Sequence, residues 1–159
     1  MVLFDNGPLV THPAGGYDGN NASAVQTSLG MSTLGFGSST VTGFRMADDF
    51  TISTGRSWDI ETITFFAYQT GSTTASTITG LHLQIWDGSP DDPGSSIVFG
   101  DIVTNRMIDT YWINTYRTTD SDLTNSSRPI MVVVAEVNAT LPPGSYWLDW
   151  AETGTLSSG

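Results

Sequence analysis

Between residues 81 and 86 the chain alternates strictly: Leu81, Leu83 and Ile85 against His82, Gln84 and Trp86. Only an extended strand sends successive side chains to opposite faces, so one face of this segment belongs to a core and the other does not. Apolar-rich runs of strand length recur along the chain at 41–45, 50–53, 58–68, 96–99, 106–117, 130–137 and 146–150. In the run at 58–68, Ile63, Phe65 and Ala67 share a face; the run at 130–137 is apolar on both faces, as a central strand is. Clusters of Gly, Pro, Asp, Asn, Ser and Thr separate the runs at 70–74, 87–94, 119–127 and 141–144, and a Ser/Thr-rich stretch at 72–79 reads as a loop or hairpin tip. About eight strands at this spacing predict an all-β fold: a two-sheet antiparallel, jelly-roll-like sandwich.

Composition agrees. The chain has no lysine, no cysteine and three glutamates against thirteen aspartates, so helix formers are scarce where strand and turn residues abound. A length of 159 residues fits one domain spanning 1–159 with enough buried surface to need no disulfide. Residues 1–40 are loop-rich. One short helix is expected near 22–30, where Ser23 and Gln26 have capping-box spacing, Ala24, Val25 and Leu29 form a stripe, and Gly30 ends it.

The net charge of −11 sets sixteen carboxylates against five scattered arginines, with no basic stripe for phosphates. Nucleic acid and anionic lipid are poor partners; cations, neutral glycans and proteins are compatible ones. No run approaches the roughly 20 apolar residues of a membrane helix. Met1 runs directly into Val2, Leu3, Phe4 and Asp5 without a signal-peptide pattern, so the composition favours a mature exported chain restarted with an initiator methionine.

Catalytic motifs are lacking: there is no nucleophile elbow, zinc-protease helix motif, phosphate loop or dinucleotide fingerprint, and no pair of carboxylates is singled out for glycoside hydrolysis. His82 sits in a strand and reads as structural; His12 stands alone in a Gly-rich loop. The reading is therefore non-enzymatic. Two sets of residues remain. Asp48, Asp49, Asp87, Asp91 and Asp92 lie on predicted loops, where carboxylates and carbonyls can supply the six to eight oxygens that calcium takes; calcium is the candidate cofactor, against the plainer role of aspartate as a turn former. Trp86, Trp112, Trp147 and Trp150 are the candidate ligand-binding aromatics. In residues 146–150, Tyr146, Leu148 and Trp150 share one face while Trp147 and Asp149 share the other, and Tyr111 and Trp112 are likewise opposed. One ring of each adjacent pair therefore faces away from the core.

Several stretches together resemble a group of uncharacterised secreted bacterial proteins: 4–13 (FDNGPLVTHP), 47–51 (ADDFT), 63–72 (ITFFAYQTGS), 83–88 (LQIWDG) and 141–150 (LPPGSYWLDW). The resemblance spans nearly the whole chain. It implies export, a β-sandwich accessory domain, a signal in front, often a sorting or anchoring tail behind, and further chain past 154–159. It carries no catalytic residue. The expected function is a secreted or surface-associated binding module for a glycan or an extracellular protein. The competing expectation is a structural subunit that assembles with copies of itself by strand pairing; a hydrolase ranks below both.

Overall fold

The computed structural model describes residues 1–156; the last three residues of the Gly/Ser tail lie outside the described part. Eight strands follow in order: β1 (Asn21–Val25), β2 (Met46–Ile52), β3 (Trp58–Ala67), β4 (Ile78–Trp86), β5 (Ile97–Asp101), β6 (Met107–Thr119), β7 (Pro129–Leu141) and β8 (Gly144–Gly154). They form two four-stranded sheets, β1-β6-β7-β3 and β2-β8-β4-β5, packed face to face. The pairing is nested as in a jelly roll: β2 pairs with β8, and β3 with β7, each antiparallel. One pair departs from the antiparallel expectation, because β1 runs parallel to β6.

The core lies between the sheets. Leu81, Leu83 and Ile85 of β4 face Met131, Val133, Ala135 and Val137 of β7, with Ile52, Phe65, Leu141 and Tyr146 around them. As expected for a strand apolar on both sides, β7 is interior to its sheet. Its outward Val132 is covered by its register neighbours Phe66 and Tyr111, which are themselves half exposed. Strand β3 keeps Ile60 and Ile63 both against the core although they are three residues apart, because a bulge between Ile60 and Thr62 inverts the alternation.

Three expectations are corrected. The helix near 22–30 does not form: Asn21–Val25 is a strand held by its register with residues 115–119 of β6, and only Thr27–Leu29 makes a 3-10 turn. Two turns of helix are weak alone, and burying Ala22, Ser23 and Val25 in the sheet outweighs them. Gly30 does end that turn, at φ 76°. The run at 41–45 is not a strand but a tight reversal closed by mutual Ser39 and Phe44 backbone hydrogen bonds. Asp48 and Asp49 are not on a loop; they lie inside β2.

Candidate binding face

With Leu83 and Ile85 committed to the core, the alternation of β4 turns His82, Gln84 and Trp86 onto the outer face of the β2-β8-β4-β5 sheet. The same rule on β8 sends Tyr146, Leu148 and Trp150 inward and Trp147 and Asp149 outward, and on β2 it turns Ala47, Asp49 and Thr51 outward. Register then brings together residues that are distant in sequence. One row across the sheet reads Asp49, Trp147, Trp86, Ile97; the next reads Ala47, Asp149, Gln84, Gly100. At ordinary strand spacing each row is about 14 Å long.

Trp147 and Trp86 are partly exposed neighbours in the first row, flanked by the exposed Asp49 carboxylate and the exposed Ile97. In the second row Gln84 and Asp149 are buried polar groups. Arg45 reaches over from the residue before β2: its Nε donates to Asp149 Oδ1 at 2.6 Å and its Nη2 to the Asp149 carbonyl at 3.3 Å. The guanidinium thus satisfies a carboxylate that would otherwise be buried without a partner, and fixes it beside Trp147. Gly100 allows the close approach of β5. A Cβ there would sit 2.3 Å from the Leu83 carbonyl oxygen, and the φ of +84° suits glycine.

Of the four predicted tryptophans, this face unites Trp86 and Trp147 and not the other two. Trp150 packs against Phe65 between the sheets, ring centroids 5.2 Å apart. Trp112 packs against Tyr116 and the core, and its Nε1 donates to the Thr115 carbonyl at 3.2 Å; Tyr111 is the outward partner of that pair. Alternation alone puts Gln84 beside Trp86 and Asp149 beside Trp147; the strand register makes these two pairs neighbours, and Arg45 joins them with no signal in the sequence.

The predicted calcium ligands are dispersed. Asp48 and Asp49 point to opposite sides of edge strand β2, where Asp48 accepts from Asn6 Nδ2 at 2.6 Å. Asp87, Asp91 and Asp92 lie on the β4–β5 loop, two strands away across the sheet. There Asp87 Oδ1 accepts from the Ser96 N–H at 2.6 Å and Asp92 Oδ1 from the Gly94 N–H at 2.9 Å, as turn-forming aspartates do. Among the described residues no three His, Asp or Glu side chains converge. His82 Nε2 is 3.3 Å from the Thr153 hydroxyl, and His12 Nδ1 2.9 Å from that of Thr11.

No helix among the described residues is long and apolar enough to cross a membrane. No protein-family model, curated protein or solved structure matches the chain.

Proposed function

We propose that this domain is a secreted or surface-associated, non-catalytic module that binds a neutral polysaccharide on the outer face of the β2-β8-β4-β5 sheet. The observation that carries the reading is the Trp147–Trp86 pair on neighbouring strands. Two partly exposed indoles offer apolar ring faces on which sugar rings stack, and the exposed Asp49 carboxylate and the partly exposed Arg45 guanidinium flank them with groups that hydrogen-bond hydroxyls. A rigid sheet carries both indoles, so little side-chain order is lost on binding.

The test is native affinity electrophoresis through gels containing soluble neutral polysaccharides. A matching glycan should retard the protein, and Trp147→Ala should abolish the retardation while the melting transition is kept. If no polysaccharide retards the protein, or if Trp147→Ala and Trp86→Ala are retarded like the wild type, the reading fails.

A second reading, self-assembly through strand pairing, has its own observation. Strand β6 pairs with β1 only from Thr115 onward, so its first half is a sheet edge, as is β5, and Ile97, Val98, Ile102, Val103 and Ile108 are exposed beside these edges. Such edges attract further strands unless charge or shape blocks them. Light scattering separates the readings: a particle of single-chain mass at all concentrations ends the assembly reading.

A further inference from the structure

One end of the sandwich, where β3 finishes and β4 begins, holds a groove of about 590 Å3. The segment 26–45, which links β1 of one sheet to β2 of the other, runs across this end and supplies Met31, Leu34 and Phe36 to the lining. Hydrogen bonds tie the segment to the sandwich at several points, among them the Tyr68 hydroxyl donating to the Thr33 carbonyl at 2.5 Å, the Glu152 N–H to the Ser38 carbonyl at 3.1 Å, and the Thr40 N–H to the Glu152 carbonyl at 3.0 Å. Leu34 and Phe36 are 84 % and 86 % exposed, so the lip of the groove is apolar and open to solvent.

The lining has an unusual composition for a surface groove. The aromatic residues Phe36, Phe66, Tyr68 and Trp150 are among those that line it, together with Glu152. Glu152 belongs to the inward-facing series of β8 and is 8 % exposed. The ion pairs among the described residues are Arg45–Asp149 and Arg106–Asp101, so Glu152 has no basic partner. Burial pushes its carboxyl above the ordinary range, against the opposing pull of a hydrogen bond with Ser38. The other charged lining residue, Arg117, donates its Nη1 to Ser23 Oγ at 3.1 Å and is thereby tied to β1.

We propose that this groove binds a quaternary ammonium or fully methylated amine, with the cationic head among the aromatic rings and Glu152 as its counter-charge. The faces of aromatic rings attract a cation, most strongly when the cation sheds little water on entry, as a methylated head does. A primary ammonium would need acceptors for three N–H donors, whereas a methylated head needs none. An anionic ligand would meet Glu152 at close range in a site of low polarity, and a neutral one would leave that carboxylate without a counter-charge. The net charge of −11 draws cations toward the surface.

The probe is choline, titrated calorimetrically into the whole chain beside its neutral carbon isostere 3,3-dimethyl-1-butanol. Choline should bind about tenfold or more tighter than the isostere, and Glu152→Gln, which keeps the side chain's shape, should weaken choline by about the same factor while remaining folded. Flotation with phosphatidylcholine vesicles separates two sources of the same head group: flotation that free choline competes away assigns a lipid head group, and choline binding without flotation assigns a soluble cation. Equal binding of choline and its isostere, undiminished binding of choline by Glu152→Gln, or no heat with choline at millimolar concentration would each overturn the proposal.

Discussion

Replacing Glu152 by Gln should make the protein more stable, by an amount that grows with pH. The unfolded chain releases the Glu152 proton near the ordinary value of 4.5, while burial in the folded groove holds that proton to higher pH. A group whose folded value is raised contributes stability that is present below the unfolded value and lost as pH climbs toward the folded one. Across that window the wild type therefore loses at most about 1.4 kcal/mol per pH unit that the glutamine variant does not lose. Glutamine can keep the Ser38 hydrogen bond and nearly the same volume, so little else changes. Asp101 acts with the opposite sign: hydrogen bonds from Thr104 and Val103, with Arg106 nearby, hold its carboxyl at about 2, and the stability it brings is lost as pH falls toward that value. Asp120, held low by Thr27, behaves likewise. Both are common to the two proteins and cancel in the difference. Urea unfolding of wild type and Glu152→Gln from about pH 4 to pH 7 reads that difference directly. The two should converge at the acid end and separate above it, with the variant the more stable. Parallel curves, or a wild type that gains on the variant as pH rises, would refute the account of Glu152 as a buried carboxyl without a counter-charge.

Arg45→Ala leaves the buried Asp149 carboxylate without its guanidinium; because about a quarter of the arginine side chain is exposed (26 %), denaturation should show a loss of about 1–3 kcal/mol rather than the roughly 3–5 of a fully buried pair. Gly100→Ala should cost more than an ordinary glycine replacement, since the new Cβ meets the Leu83 carbonyl and the left-handed backbone has to be kept; a melting temperature equal to wild type would mean that β5 does not approach β4 as described. Melting in millimolar calcium and in chelator tests the metal expectation: the aspartates at 87 and 92 already accept backbone N–H groups within their own loop, so equal transitions are the expected outcome, and a rise in calcium that Asp87→Asn abolishes would assign that loop a cation.

Much of the architecture was legible because period two is a strong local signal. The inward set Leu81, Leu83 and Ile85, the two-sided apolar run of β7, and the opposition of Trp147 to Tyr146, Leu148 and Trp150 all follow from alternation alone, and the structure has each of them. The failures lie where a nonlocal contact overrides local preference. Residues 22–30 carry capping-box spacing and an apolar stripe, yet pairing of 21–25 with residues 115–119 makes the first part a strand, a partner that no short window contains. The adjoining aspartates at 48 and 49 resemble a loop, but β8 supplies the ladder that holds them extended.

The candidate sites show the same division more sharply. Alternation can say that Trp86 and Trp147 face away from the core, but not that they are neighbours, because β4 and β8 are joined only in the assembled sheet. A slip of one residue in that register would set Trp86 opposite a core-facing side chain and dissolve the pair, so the binding face is a property of topology rather than of either strand. Glu152 escaped notice for a different reason. The apolar series Tyr146, Leu148, Trp150 has its next position at Glu152, and a carboxyl at a core-facing position reads as the end of a strand. The strand in fact continues to Gly154, and the carboxyl is buried where the sandwich opens into the groove. A charged residue that keeps the phase of a buried series was the available signal. Burying such a group raises the free energy of the fold unless a partner answers it, which is why the stability of Glu152→Gln and its binding of a methylated cation are expected to move in opposite directions.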